Sequence, residues 1–165
     1  MGFRNTVLFL PPRGVSDLIR KMKIDDAQNV SKVTVSSFMQ AVFGQLSEEG
    51  IATFLGISSS DSFLERMNKD NLMFVSEGTN GINGVVELKE GRHIAMLFIK
   101  PDNQGGGIGR KLVEEALKYS RVKTVTVSAS LVSVSAYIKY GFIIVGSEEE
   151  KNGLVYQPME IELGD

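Results

Sequence analysis

Residues 97–112 read LFIKPDNQGGGIGRKL, an apolar run followed by a glycine-rich loop and a helix-like segment. Glycine has no Cβ, so the amides of residues 104–109 can turn towards an anion and approach it closely. These amides also stand at the start of a predicted helix over residues 108–119, where the partial positive charge favours phosphate. Arg110 and Lys111 add full charges at the rim. The pattern therefore predicts a strand, a diphosphate site and a helix in that order.

Two familiar phosphate motifs do not match this loop. A P-loop ends in Gly-Lys-Ser/Thr, but here Gly109 is followed by Arg110. The dinucleotide motif G-x-G-x-x-G, begun at Gly105 and Gly107, would need a third glycine at position 110. A glycine-rich hairpin or linker without a ligand is the alternative that composition alone leaves open.

The composition limits the classes of protein to consider. The 165 residues are 42% hydrophobic and 23% charged, which is typical of one soluble globular domain. A net charge of −2 gives no basic surface for nonspecific binding, so no nucleic-acid partner is expected. The chain has no cysteine and a single histidine, His93. Disulfides, thiolate zinc sites, a cysteine nucleophile and a histidine-rich metal site are therefore excluded, and no metal is expected.

Neither a membrane span nor a signal peptide is indicated by the apolar segments. None approaches the ~18 residues of a span, and the patch near the start is shorter than a signal-peptide core of about 7–15 residues. A cytoplasmic protein without a membrane partner is the default expectation. Pro11, Pro12 and Gly14 separate residues 1–17, interpreted as an N-terminal extension, from a single domain over residues 18–165.

The first third of the chain has weaker periodicity than the rest. Asp25 or Asp26 is placed to cap a first helix with apolar residues on one face. Glycines and serines between residues 44 and 60 predict a loop interrupted by one short helix, and Ser62 is placed to cap another. The predicted elements are a strand at 18–22, a helix to about residue 43, and short helices at 51–55 and 63–68.

From residue 71 the periodicity changes to short strands separated by turns. Asn152 and Gly153 form a strong hairpin signal inside a polar loop at 148–153, and Gly141 is placed to end a short helix. This order predicts a mixed α/β (α+β) sheet whose best helix follows its central strand. The predicted strands are 72–77, 84–89, 94–100, 124–129, 142–145 and 155–163, and the predicted helices are 108–119 and 134–139.

Two motifs at a matching separation connect the chain to a known family. Residues 104–109 read QGGGIG and match Q/R-x-x-G-x-G/A, and residues 137–142 read YIKYGF and match Y-x-x-x-G-F. With them the chain resembles the GCN5-related N-acetyltransferases (GNAT), closely over residues 72–163 and by element order over 18–68. The resemblance implies the GNAT fold, a mixed and mostly antiparallel sheet of six to seven strands with about four helices. Its central fourth and fifth strands splay apart, and acetyl-CoA enters the gap.

The resemblance implies acetyl-CoA as the cosubstrate and a set of residues that bind it. Main-chain groups of Ile99 would bind the pantetheine arm, and the loop amides would bind the pyrophosphate. Ser128 stands where the family often has asparagine, and serine can still form a hydrogen bond with shorter reach. The implied cofactor-binding residues are Leu97, Phe98, Ile99, Gln104, Gly105, Gly106, Gly107, Ile108, Gly109, Arg110, Ser128, Ser133 and Tyr137.

The reaction that the resemblance implies is direct transfer of an acetyl group to an amine. The amine must be neutral to attack, so a base or a water relay is useful. By resemblance, the Leu97 amide stabilises the carbonyl oxyanion and Tyr137 protonates the leaving thiolate. An aromatic residue in a short helix can equally belong to the core, so that interpretation of Tyr137 stays open. Phe142 is assigned to the core.

His93 is the leading candidate for a base. It lies eleven residues before Gln104, where some histone-acetylating members carry a glutamate, and its titration range suits a proton relay. The alternative is a solvated histidine at a turn that starts a strand. Glu87 on the preceding strand is a lesser candidate, and a water chain without a dedicated base is a third possibility.

The acceptor is expected to be a primary amine of a small molecule or a peptide. Phe38, Phe43 and Phe54 lie where the family's first helices form the acceptor wall, although a buried core explains them equally well. The glutamates at 148–150 could attract a cationic amine, but a solvated loop is the favoured interpretation.

Two other functions match parts of the pattern. A noncatalytic acyl-CoA-binding regulatory domain of the same fold would bind the cofactor without turnover, and the presence of Tyr137 favours the enzyme. A nucleotide-binding protein could use residues 104–110 as a phosphate loop, but the sequence nearby lacks the expected Ser/Thr and acidic metal ligands. Dimerisation is common in the resembled family, so a homodimer is a further open expectation.

Overall fold

The computed structural model describes residues 17–42 and 44–165, so the predicted extension at 1–17 lies outside the described residues apart from Asp17. Within the described ranges the chain forms eight strands and five α-helices. The strands are β1 (Leu18–Lys21), β2 (Asn71–Gly78), β3 (Gly81–Lys89), β4 (His93–Ile99), β5 (Thr124–Ser130), β6 (Ile143–Ile144), β7 (Glu149–Lys151) and β8 (Leu154–Glu162). The helices are α1 (Ala27–Val42), α2 (Glu48–Ile57), α3 (Ser60–Met67), α4 (Ile108–Leu117) and α5 (Val134–Lys139), with 3-10 turns at Ile24–Asp26, Pro101–Asn103 and Leu131–Ser133.

The strands form one mixed sheet in the order β1-β2-β3-β4-β5-β8-β6, and β7 also pairs with β8. Its neighbours run antiparallel except β4 and β5, which are parallel. The pairing of β4 with β5 covers His93↔Thr126 and Ile94↔Val127, and the two strands diverge beyond it. The predicted mixed, mostly antiparallel sheet with splayed central strands is therefore confirmed, with eight strands and five helices where six to seven and about four were expected.

A bulge in β4 coincides with the point of divergence. Ile94 pairs with Leu88 and Met96 pairs with Glu87, so Ala95 is an extra residue in β4. A bulge bends its strand and increases the local twist. We attribute the splay to this bend, because β4 leaves β5 one residue after their last paired position.

Both faces of the sheet are covered, because neighbouring residues of a strand point to opposite faces. Phe74 and Val86 pack with α4, whereas Val75 and Val85 pack with α1 and α3. The apolar stripe predicted for α4 is buried at Ile108, Leu112, Val113 and Ala116. Its fifth member, Leu117, is half-buried against the same core.

The chain enters α1 through a contact that differs from the predicted cap. Lys23 precedes a 3-10 turn, and its main-chain N–H donates to the Asp26 carboxylate at 2.7 Å. The Arg20 guanidinium also donates to both carboxylate oxygens of Asp26, at 2.7 and 3.0 Å. Asp26 therefore stabilises the helix entry from inside the turn, because its carboxylate binds the preceding backbone and a cation.

The short helix predicted at 51–55 inside the loop is confirmed as α2, but it is twice as long as expected, with ten residues from Glu48 to Ile57. Ser47 caps this helix by accepting the Gly50 N–H at 3.1 Å. Ser62 is not the cap of α3, since Ser59 accepts the N–H of Ser62 at 3.2 Å. The local signal was misleading because two glycines lie inside α2 and three serines compete for the cap.

The polar segment predicted as a loop at 148–153 contains the short strand β7. Its residues are all exposed, so they show none of the apolar alternation by which strands are predicted. The hairpin signal is confirmed, since Asn152 and Gly153 join β7 to β8 with φ values of 53° and 81°. Two positive φ values are typical of a type I′ turn.

Candidate active site

The glycine-rich loop is open to solvent immediately before α4. Gly105 and Gly107 have φ values of 82° and 84°, and a Cβ built on either would meet nothing within 4 Å. Glycine is therefore required here for backbone conformation and not for lack of space. The first N–H groups of a helix have no partner within it, and α4 receives no side-chain cap at Gly107. The arrangement is suited to a diphosphate.

Gly109, the last glycine of the motif, has a different role. A Cβ on Gly109 would clash with the Tyr140 hydroxyl, so glycine gives this hydroxyl room where α4 meets the end of α5. Arg110 strengthens the same junction by donating to the Lys139 carbonyl at 2.7 Å, with its guanidinium 5.5 Å from the centre of the Tyr140 ring. The loop is therefore attached firmly to α5.

The loop also contacts the open edge of β4. The Lys100 N–H donates to the Asn83 carbonyl of β3, so alternation directs the main-chain groups of Leu97 and Ile99 to the other edge, into the gap. There the Ile99 carbonyl accepts hydrogen bonds from Gln104 Nε2 at 3.0 Å and from Ser37 Oγ at 2.9 Å. Gln104 thus joins the phosphate loop to the strand that borders the gap.

The ring of Tyr137 belongs to the core, and its role as an acid stays a prediction. Its ring is buried in the core, with ring centroids 5.8 Å from Tyr140 and 5.3 Å from Phe142, both edge-on. Its hydroxyl has no hydrogen bond to any residue that the structure describes. Burial, followed by the neighbouring Tyr140, raises the pKa of Tyr137, so the phenol stays protonated and can donate. Phe142 is buried in the core as predicted.

His93 lies apart from Leu97 and the gap. It starts β4 in the paired segment, half-buried, with Nδ1 at 2.7 Å from Thr126 Oγ1. Four residues of strand separate it from Leu97, about 13 Å at ~3.3 Å per residue. Burial chiefly, then the charges of Lys89 and Arg92, lowers the pKa of His93, so it is neutral at pH 7. A proton could reach it only through intervening water.

Glu87 is fully occupied by other contacts. Its side chain is 1% exposed, and its two oxygens accept from Arg66 Nε at 3.1 and 3.0 Å. Asn71 Nδ2 donates a further hydrogen bond of 2.7 Å. This ion pair connects α3 to β3, which argues against Glu87 as a base.

The opposite wall of the gap is formed by β5 and the turn after it. Ser128 is exposed on β5, opposite Pro158 of β8. Ser133 donates to the Ser130 carbonyl at 2.8 Å, and the two hydroxyls also lie 2.8 Å apart, which stabilises the entry into α5. The pairing of β5 with β4 ends at Val127, one residue before Ser128.

Aromatic residues of α1 and α2 border the gap on the face away from α4. The Phe38 and Phe54 rings stack with centroids 3.4 Å apart, and Phe54 meets Phe98 of β4 at 5.4 Å. Phe43, also expected in this wall, lies outside the described residues. The glutamates of β7 are exposed, and Glu149 accepts the Tyr156 hydroxyl at 2.7 Å. Ser37 was not anticipated, because a serine inside a helix carries no local signal.

The described residues form neither a metal-binding cluster nor a membrane-spanning helix. In the ranges 17–42 and 44–165 no three histidine, aspartate or glutamate side chains gather in a way that could hold a metal ion. None of the helices formed by these residues is long and apolar enough to cross a membrane.

A splayed mixed sheet with a phosphate loop at the start of its central helix defines a class of cofactor-binding domain. The chain belongs to the Acetyltransferase (GNAT) domain family, whose model matches residues 42–163. It is similar to the peptidyl-lysine N-acetyltransferase YjaB of Escherichia coli, with 41% identity over 63 residues, 38% of this chain and 43% of that protein. The matched segment thus spans less than half the length of this relative.

Two solved structures share the fold. One is a GCN5-related N-acetyltransferase of Rhodopseudomonas palustris, with a TM-score of 0.77 and 23% identity over 90% of this chain and 96% of that one. The other is the PaiA N-acetyltransferase of Thermoplasma acidophilum in complex with coenzyme A. Its TM-score is 0.75, with 24% identity over 90% of this chain and 99% of that one.

Proposed function

We propose that this protein is an N-acetyltransferase that transfers an acetyl group from acetyl-CoA directly to a primary amine of a small molecule or a peptide. The observation that carries the proposal is the junction at Ile99. There the phosphate loop, through Gln104, contacts the edge of β4 whose main-chain groups face the gap. A ligand with a pyrophosphate at one end and an extended amide-bearing arm at the other matches both features.

The residues that would hold acetyl-CoA divide into two groups. The amides of residues 105–110 and the Arg110 charge suit the pyrophosphate, because the loop is open and stands at a helix start. The gap-facing groups of Leu97 and Ile99 suit the pantetheine amides. The Ile99 carbonyl already accepts from Ser37 and Gln104, so binding there would exchange one of these hydrogen bonds for one to the ligand.

The chemical step needs a hydrogen-bond donor for the carbonyl oxygen, a proton donor for sulfur and a proton acceptor for the amine. Leu97 donates its main-chain N–H to the carbonyl oxygen, where negative charge develops. As the amine nitrogen forms its bond to the acetyl carbon and the C–S bond breaks, Tyr137 gives its phenolic proton to sulfur. The amine loses its proton to water, directly or through a relay to neutral His93, and solvent restores the Tyr137 proton.

The acceptor class is a primary amine, and a lysine side chain of a peptide is its best-supported member. Support comes from the 41% identity over 63 residues with a peptidyl-lysine N-acetyltransferase. We also propose a cytoplasmic location, because acetyl-CoA is used in the cytoplasm.

A homodimer through β6 is also proposed, since this edge strand exposes Ile143 and Ile144, at 61% and 51%. Light scattering at micromolar concentration would test it.

The competing function is an acyl-CoA-binding domain without turnover, and one experiment separates the two. Coenzyme A should raise the melting temperature of the protein, and thiol release with acetyl-CoA should depend on an added lysine peptide. Gly107→Val should abolish the thermal shift. Gly44→Val is the matched control, because Gly44 has the same φ of 84° and equally open surroundings away from the loop. No shift for the wild type would overturn cofactor binding, and a shift without amine-dependent thiol release would favour the binding domain.

A further inference from the structure

Helix α2 lies across the gap, on the face of the sheet opposite α4. Phe54 packs edge-on against Phe98 of β4, with ring centroids 5.4 Å apart. On another side of the same helical turn, Thr53 Oγ1 donates a hydrogen bond of 2.8 Å to the Asn152 carbonyl in the β7–β8 turn. A helix with its side chains is ~10–12 Å wide, so one turn of α2 can contact both halves of the splayed sheet. We call this connection the α2 bridge.

The α2 bridge depends on two glycines that touch through their backbones. A Cβ on Gly50 of α2 would overlap the Gly153 carbonyl oxygen, and a Cβ on Gly153 would overlap the Gly50 backbone. Both residues are buried, although the hairpin around Gly153 is otherwise exposed. This approach is closer than any other residue type would permit.

The α2 bridge stands at the wide end of the gap. Strands β4 and β5 are parallel, so Ile99 and Ser130 end them at the same side of the sheet. Tyr156 pairs with Ser130 on one edge and with Glu149 of β7 on the other, which places the β7–β8 turn beside that end. The bridge therefore spans the opening at the end where the two strands are farthest apart.

We infer that the α2 bridge, held by Gly50, Gly153 and Thr53, limits the width of the amine that can reach the acetyl group. The inference rests on the proposed function. The phosphate loop and α4 lie on one face of the sheet, so the acceptor enters from the other face, which the bridge spans. An amine on an unbranched alkyl chain passes beside the apolar rings of Phe54 and Phe98, whereas a branched or ring-bearing amine does not.

The test compares two primary amines with seven carbons each, n-heptylamine and cyclohexylmethylamine. Their amines are alike in basicity and differ in the width of the attached group. Thiol release from acetyl-CoA gives kcat/KM for each. For the wild type we expect n-heptylamine to be preferred at least tenfold. Equal values for the two amines, or no acetylation of n-heptylamine, would overturn the inference.

Gly50→Ala should widen the opening, because its new methyl group cannot coexist with the Gly153 carbonyl. The preference for n-heptylamine should fall at least fivefold, while the KM for acetyl-CoA stays unchanged. Gly56→Ala is the matched control, since it lies in the same helix and a Cβ there meets nothing within 4 Å. It should keep the wild-type preference.

Thr53→Val is a second variant in case Gly50→Ala does not fold. It removes the hydrogen bond to Asn152 with little change of volume, and the preference should fall about twofold or more. If both variants fold and keep the wild-type preference, the bridge does not select the acceptor. This failure differs from failure of the proposed function, in which coenzyme A gives no thermal shift and wild-type thiol release needs no amine.

Discussion

Gly105 and Gly107 in the phosphate loop face open space, whereas Gly50 and Gly153 in the α2 bridge face each other's backbone. The loop needs glycine for its left-handed φ values, and the bridge needs it mainly for close approach. On the α4 face, the cofactor side under the proposed function, the glycines leave open space. On the α2 face, the acceptor side under the proposed function, they allow two parts of the chain to touch. The comparison shows that a glycine count does not distinguish a binding loop from a packing contact.

The largest effect is expected on the cofactor side, from Tyr137→Phe. Loss of the phenolic proton donor should lower kcat by roughly 10²-fold, while the thermal shift with coenzyme A is retained. Because burial raises the pKa of Tyr137, wild-type activity should show no decline from this group up to the ordinary phenol range near ~10. Steady-state kinetics against pH would measure both.

The control for that variant is Tyr119→Phe, which removes a hydroxyl from an exposed tyrosine outside the site. Its kcat should equal that of the wild type. Full turnover by Tyr137→Phe at every pH would remove Tyr137 from the chemistry and leave it as a core residue.

Gly109→Ala would sharpen the contrast between open and crowded glycines within one motif. The new methyl group would clash with the Tyr140 hydroxyl and lower the free energy of unfolding by about 1–3 kcal/mol, the usual cost of overpacking. Tyr140→Phe should restore part of this loss in the double variant. The same rescue should fail for Gly105→Ala, whose cost is backbone strain. Urea denaturation of the single and double variants would show whether the two glycines differ as described.

A smaller effect is expected in α2, where two glycines occupy the same helix. Gly56→Ala should raise the free energy of unfolding by ~0.5–1 kcal/mol, because alanine is the better helix former and the site is open. Gly50→Ala has the same helical advantage but should show no gain, or a loss, because of Gly153. Equal stabilisation by both substitutions would mean that the glycine contact carries no constraint.

The smallest effect is expected in the dependence of the free energy of unfolding on pH. At the entry into α1 the Arg20 guanidinium, and then the Lys23 amide, hold the pKa of Asp26 below its ordinary value despite its burial. The stability that Asp26 contributes is therefore present above the unfolded pKa of ~3.9 and is lost as pH falls through the lower folded pKa. Asp26→Asn should unfold with a weaker dependence on pH below about 4 than the wild type. Asp25→Asn, at an exposed neighbour, should retain the wild-type slope.

The cofactor side could be predicted from the sequence and the acceptor side could not, for a physical reason. The stripe of α4, the loop glycines and the Tyr137 segment are local patterns, each readable within a dozen residues. The α2 bridge joins Gly50 to Gly153, which are distant in sequence and carry no shared pattern. Strand β7 consists of exposed charged residues, so hydrophobic periodicity cannot reveal it. The bulge at Ala95 likewise has no residue signature, since alanine is compatible with any of these conformations.

The bulge at Ala95 determines which side chains of β4 face α4 and which face the opposite side of the sheet. In a regular strand, side chains alternate between faces, so adding or removing one residue exchanges the faces of everything that follows. Counted from Ile94 on the α4 face, Ala95 shifts the alternation so that Leu97 joins that core while Met96 and Phe98 join the other. If Ala95 were accommodated without a bulge, regular alternation would turn Phe98 towards α4 and away from Phe54. The bulge at a single alanine thus keeps Phe98 packed against Phe54 and Leu97 in the core beneath α4.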